Sequence, residues 1–328
     1  MKFLVIGCGS IGERHIRNLL SLSASEVSVF DIDARRLAAI ADKYKIKTYN
    51  DLSQAFSQAP DALVICVPPS LHMQLAFKGI EHNAHIFVEK PISHTIDGVD
   101  KLNKAAKKKN LVVYVGYNMR FHPGLRQVKQ LLDEGKIGKV LSADVEAGQY
   151  LPDWHPGEDY RRGYTARREL GGGIILDGSH ELDYIRWLIG GEVKEVSCFA
   201  GKISRLEVDT EDTAEILLKF DNNVITRVHL DFVQRGYSRS CKLIGEEGTI
   251  TWSYPDKKVR LFTAANNKWQ EIDTPFEPNA MYIEEMKQFI QCVKGEEKPV
   301  VDGDVGQRVL EIALAAKKSA ATGRVIKL

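Results

Sequence analysis

The stretch KFLVIGCGSIGERHIRNLL, residues 2–20, limits what this chain can fold into more than any other. A short apolar run ends in glycines at 7, 9 and 12, in G-x-G-x-x-G spacing, and opens at once into a helical pattern. Glycine-rich turns are common, and the spacing alone is a weak signal. Here it closes a strand and opens a helix at the head of a βαβ unit, the context in which it becomes specific. Gly7 permits a tight turn, Gly9 lets a pyrophosphate approach the backbone, and Gly12 lets helix and strand pack closely. Ser10 and Ile11 complete the candidate phosphate loop, because amides at a helix N-terminus carry partial positive charge.

Strand and helix signals alternate from there to about residue 118. The apolar runs 2–7, 26–30, 61–67, 85–89 and 112–117 are short and nearly continuous, as strands covered on both faces of a parallel sheet must be. Helical stretches such as 16–22 and 34–44 separate them. The pattern predicts a doubly wound α/β domain of the Rossmann type over residues 1–119. The second run ends in FDID, which puts Asp31 where a carboxylate would accept hydrogen bonds from an adenosine ribose. A carboxylate there repels a 2′-phosphate, which favours NAD; Arg35 and Arg36 leave NADP open, and a helix cap is the plainer use of Asp31.

Two further stretches lie at strand C-termini, where open α/β sheets bind ligands. CVPPSLH (66–72) places Pro68 and His72 beside a rigid turn, since proline fixes φ and lacks an amide proton. VEKPIS (88–93) puts Glu89 and Lys90 at the same edge, although a surface charge is the usual fate of a lysine.

A chain of 328 residues suits a second domain, here 120–328. Lys plus Arg number 45 against 44 Asp plus Glu, so no global field favours nucleic acid or an anionic membrane. No apolar run approaches the roughly 18 residues of a membrane span, and glycines interrupt the N-terminal apolar stretch too early for a signal peptide. Five cysteines, odd in number and without a C-x-x-C pair, point to reduced thiols in a cytoplasm and to no zinc site.

After RFHP the pattern changes. Residues 124–138 read as a helix and 139–150 as a strand. The polar loop 151–170 reads as a solvated connection or as a lid over a polar substrate. Its Trp154, His155, Tyr160, Arg161, Tyr164 and Arg168 offer ring stacking and hydrogen bonds to a sugar. GGGIILDGSHELDYIRWL (171–188) follows, with Asp177, His180 and Asp183 three residues apart, a spacing that stacks side chains along one helix face. The glycines are expected to let the backbone pass close under a cofactor or sugar. Residues 193 to about 262 are mostly strand with close turns, and helices are expected over 279–294 and 303–322.

Taken in order, GCGSIG, CVPPSLH, VEKP, GYNMRFHP (116–123) and the 171–188 element resemble the Gfo/Idh/MocA oxidoreductases. The resemblance implies a C-terminal α/β domain on a large, open, mostly antiparallel sheet, and a homodimer or homotetramer. It also implies that Lys90, Asp177 and His180 face the nicotinamide ring, with Asn118 and Arg120 of the GYNMRFHP element toward the substrate. Many members space the aspartate and histidine four apart, whereas here they are three apart. The chemistry implied is reversible oxidation of a secondary alcohol on a sugar, sugar derivative or cyclic polyol. His180 would take the hydroxyl proton, since imidazoles titrate near a pKa of about 6.5. Lys90 would stabilise charge on the oxygen, and Asp177 would hold the substrate or bias the histidine. The family also contains NAD-dependent glycoside hydrolases, which give no net NADH, and the fold also suits a nucleotide-sensing regulator.

Overall fold

The computed structural model describes residues 1–22, 26–154 and 157–328, and the chain divides into two compact units. The first comprises 1–118 and 278–308, the second 119–277 and 309–328. Residues 278–308, assigned by sequence to the second domain, therefore belong to the first. Their apolar positions Met286, Phe289 and Cys292 join its core, with Phe289 edge-on to Phe3, Phe87 and Tyr114.

The first unit is built on β1 (Lys2–Ile6), β2 (Glu26–Phe30), β3 (Lys47–Tyr49), β4 (Ala62–Ile65), β5 (His85–Glu89) and β6 (Val113–Gly116). They form one parallel sheet in the order β3-β2-β1-β4-β5-β6. The order reverses at β1, so right-handed crossovers place helices on both faces, and central β1 and β4 are buried almost throughout. The helices are α1 (Ser10–Ser21), α2 (Ala34–Tyr44), α3 (Leu52–Ser57), α4 (His72–Glu81) and α5 (Val99–Lys108). Asp33 caps α2 by accepting from the Arg35 and Arg36 amides. The three-residue edge strand β3 was not anticipated, because KTY is too short to show any apolar run.

The second unit opens with α6 (Pro123–Asp133) and β7 (Val140–Gly148), then α7 (Ile174–Asp177) and α8 (Ser179–Ile189). The strands β8 (Val193–Gly201), β9 (Thr213–Phe220), β10 (Ile225–Asp231), β11 (Ser238–Gly245), β12 (Gly248–Ser253), β13 (Lys258–Thr263) and β14 (Lys268–Asp273) follow. Helices α9 (Ala280–Val293) and α10 (Gly303–Thr322) and strand β15 (Ile326–Lys327) finish the chain. The nine-stranded sheet runs β14-β13-β12-β11-β7-β10-β9-β8-β15, antiparallel except between β7 and β10. β14 escaped sequence reading because it is an exposed edge without apolar alternation, held by Trp269 against Phe262 and by Glu271 against Arg260.

Period-two alternation buries Ala214, Ile216, Leu218 and Phe220 of β9 on one face and leaves Leu217 exposed on the other. Across the open face Leu217, Arg227, Asp144 and Lys242 stand in register on neighbouring strands. There His229 lies between two carboxylates, 2.6 Å from Glu215 and 3.0 Å from Asp231. The Asp231 hydrogen bond, reinforced by Glu215 against the cost of burial, raises the His229 pKa to about 9. A pKa raised in the folded state contributes stability fully present below the ordinary value of about 6.5 and lost as pH climbs through about 9. Denaturant titrations of wild type and His229→Gln should therefore differ most at pH 6 and converge by about pH 9.5; a gap that widens with pH would contradict the assignment.

Candidate active site

The glycine loop has the geometry of a phosphate cradle. Gly7 has φ +91, and a Cβ there would lie 2.5 Å from the Cys66 carbonyl oxygen. A Cβ on Gly12 would lie 2.0 Å from the Gly7 carbonyl oxygen, so α1 seats against the loop only with glycine at 12. At Gly9 a Cβ would meet nothing within 4 Å, and no side chain caps the α1 N-terminus. Open space in front of uncapped amides is what a pyrophosphate needs. Ser10 is exposed and Ile11 partly so at that helix start.

Asp31 is buried at the end of β2. One carboxylate oxygen accepts from the Cys8 amide (2.8 Å) and thiol (3.2 Å), the other from the Asp33 amide (2.8 Å). The carboxylate thus locks the loop, and ionised oxygens of this kind retain further acceptor capacity for a ribose hydroxyl. Burial and the Asp31 contact push the Cys8 thiol up to about 12. His72 is also buried, its Nδ1 2.9 Å from the Pro91 carbonyl and its Nε2 2.8 Å from that of Val67. A neutral ring has one N–H and donates to one of these carbonyls, and burial holds the His72 pKa below the ordinary range, with half-buried Pro68 in the turn before it.

Glu89 ends β5 with its side chain 12% exposed, Oε1 2.7 Å from His15 Nε2 and Oε2 accepting from the Lys90 amide at 3.2 Å. Lys90 itself is half-buried and precedes Pro91 through a cis bond. Asn118, expected to meet substrate, is buried and hydrogen-bonded to Tyr282, whose hydroxyl burial pushes up in pKa. His15 and Tyr282 were not foreseen, because their partners Glu89 and Asn118 lie far from them in sequence.

In the second unit the expected single helical row is broken. Asp177 ends α7, Gly178 interrupts, and His180 stands in the first turn of α8. Asp177 is buried and accepts from the Tyr164 hydroxyl at 2.7 Å, while His180 is partly exposed. Asp183 is fully buried and takes a two-point ion pair from Arg120, at 2.9 and 2.7 Å. Arg120, expected toward substrate, thus spends two donors on α8. Next to it Glu181, which sequence reading passed over, lies 2.8 Å from Arg239. Leu182, Ile185 and Leu188 form the buried side of the helix, and Trp187 is only half-buried under the Arg120 guanidinium.

Two glycines of the triplet are required by the protein's own packing. A Cβ on Gly172 would sit 2.2 Å from the Tyr164 carbonyl oxygen, and one on Gly173 (φ +109) 2.4 Å from Glu211. The loop before it folds into short 3-10 turns pinned to residues 207–209. The Tyr160 hydroxyl accepts from the Glu207 amide, Arg161 pairs with Asp159 and Glu207, and the Arg168 amide and guanidinium bond to Asp209. Trp154 donates to the Gln149 carbonyl and packs edge-on to Phe232. His155 lies outside the described residues. Among the described residues no helix is long and apolar enough to cross a membrane, and no group of ligating side chains is placed to hold a metal.

Residues 1–117 match the model of an oxidoreductase family with an NAD-binding Rossmann fold, and 125–251 match the GFO/IDH/MocA C-terminal domain. Fold and loop geometry together define an NAD(P)-binding oxidoreductase. Relatives extend over the whole chain. A myo-inositol 2-dehydrogenase of Thermotoga maritima is 28% identical, covering 100% of this chain and 98% of its own. An inositol 2-dehydrogenase of Burkholderia vietnamiensis is 30% identical over 88% of this chain and 85% of its own. A solved probable dehydrogenase from Thermotoga maritima superposes with TM-score 0.83 at 27% identity, covering 100% of this chain and 99% of that one. The chain belongs to the Gfo/Idh/MocA oxidoreductase family.

Proposed function

We propose that the chain oxidises a secondary alcohol of a cyclic polyol or sugar reversibly, with NAD preferred to NADP. The observation that carries the reading is the loop at Gly9, open in front of uncapped α1 amides and locked from behind by the Asp31 carboxylate. The names of the inositol dehydrogenases among the relatives support the substrate class. The Gly7–Gly12 loop and Asp31 would hold a nicotinamide dinucleotide, which would supply the hydride acceptor. His180 takes the hydroxyl proton, and Lys90 donates a hydrogen bond to the same oxygen as negative charge develops there. Asp177, itself fixed by Tyr164, orients the hydroxyl or the imidazole.

Screening NAD and NADP reduction against polyols, sugars and nucleotide sugars tests this. NADH should form with at least one secondary alcohol, and NAD should outperform NADP. If no alcohol reduces either cofactor and no ketose oxidises NADH, the reading falls; equal use of both cofactors would remove the role given to Asp31.

The same reading includes a homo-oligomer formed through the open face of the nine-stranded sheet. That face mixes exposed Phe199, Leu217 and Ile225 with the Arg227–Asp144 pair, and holds a shallow depression of about 410 Å³ lined by Glu146, Lys242 and Arg260. Such a mixture suits a self-complementary contact. Light scattering should return a multiple of the single-chain mass, reduced by Leu217→Glu with Ile225→Lys. A monomer at micromolar concentration would contradict this part.

A further inference from the structure

We infer that His15 and Glu89 act as a buried positioning pair that holds the Lys90–Pro91 turn in its working geometry and ties it to α1, the helix behind the glycine loop. The inference rests on the proposed function, since it gives Lys90 a role worth positioning. Both oxygens of Glu89 already have a partner within the protein. One of its oxygens accepts from His15 on α1, and the other from the backbone of the very residue that follows it. His15 is fully buried, edge-on to Phe87 at 5.0 Å and to Tyr282 at 6.3 Å, so its ring has little freedom to turn. Gly116, paired with Glu89 across β5 and β6, makes room for the carboxylate: a Cβ there would stand 3.3 Å from it.

The charge is held, not tolerated. Burial alone would raise the Glu89 pKa, yet the hydrogen bond and charge of His15, with Lys90, bring it below the ordinary carboxylate value. From the far side, His72 Nδ1 meets the Pro91 carbonyl. The turn that carries the lysine thus has its amide bonded to Glu89 and its Pro91 carbonyl within hydrogen-bond distance of buried His72. A constellation of this kind must be held to within about 0.5 Å to act, and supporting groups supply that precision.

An amide in place of the Glu89 carboxylate can still accept from the Lys90 N–H, but its nitrogen then faces His15 Nε2, so the ring must switch to its Nδ1–H tautomer and the charge-assisted bonds to an ionised acceptor are lost. Glu89→Gln is thus close in shape but lacks the ionised acceptor that strengthens both bonds. The test follows amide exchange by mass spectrometry in the full chain, NADH binding by fluorescence, and turnover with NAD and myo-inositol as the probe alcohol. In Glu89→Gln and in His15→Ala, exchange at the Lys90 amide should rise about tenfold while β4 amides stay at wild-type rates. NADH affinity should stay within about threefold, and kcat should fall on the order of tenfold or more at near-constant KM. His15→Gln, which restores a donor, should recover most of both losses.

Unchanged exchange at Lys90, or a rise shared equally by β4, would overturn the inference; the exchange arm needs no substrate. Glu89→Gln decides the matter should His15→Ala fail to fold. Lys90→Ala separates the two layers. If that variant loses turnover while Glu89→Gln keeps it, the positioning claim alone falls. If Lys90→Ala keeps full turnover, the role of Lys90 falls and takes the pair's purpose with it.

Discussion

Replacing His180 by alanine is expected to lower turnover by about 10²–10⁴-fold, the usual worth of a positioned general base. The imidazole sits in the first turn of α8, partly exposed, three residues past a buried aspartate that is itself fixed by Tyr164. Every other acidic side chain in the first half of that helix is already engaged, Glu181 by Arg239 and Asp183 by Arg120. His180, in the same stretch of helix, is partly exposed. Since the glycine loop is untouched, the variant should bind NADH as the wild type does. The check is kcat together with the NADH dissociation constant. Full turnover, or lost NADH binding, would contradict the role assigned.

The second large effect concerns stability. Asp183 is fully buried and Arg120 is 7% exposed, so removing either charge strands the other in a low-dielectric interior. Breaking such a pair typically costs about 3–5 kcal/mol. Arg120→Met and Asp183→Leu singly should each lower the melting temperature by on the order of 10 °C. The double variant should recover much of the loss, because neither charge then remains buried alone. Paired thermal melts decide it; strictly additive losses in the double variant would mean that the two residues act independently. The result also bears on chemistry, since this pair anchors the helix that presents His180.

Much of the first unit was legible in its residues. Short continuous apolar runs between turn residues read as buried strands, and the glycine spacing between strand and helix pointed to a phosphate loop. Gly7, Gly9 and Gly12 do different jobs, two steric and one open, as the spacing implied. What could not be read was where polar side chains find one another across long separations. Arg120 and Asp183 are 63 residues apart, and His15 and Glu89 are 74 apart. Arginines in a polar loop look free in sequence, yet Arg161 meets the Glu207 carboxylate and the Arg168 guanidinium the Asp209 carbonyl, both more than 40 residues downstream. The glycines at 171–173 likewise signalled a close approach without revealing that the approaching groups are the loop's own carbonyls and Glu211. Likewise α9 packs with the first unit after a long excursion, which no local pattern announces.

The most direct measurement is isotopic. Polyols and sugars carrying deuterium at their carbinol carbons are incubated with the protein and NAD, and the recovered cofactor is weighed by mass spectrometry. The account predicts NADH carrying a single deuterium with at least one of them, formed about 10²–10⁴-fold more slowly by His180→Ala. Cofactor that stays free of deuterium across the whole panel, while NADH binds normally, would contradict it.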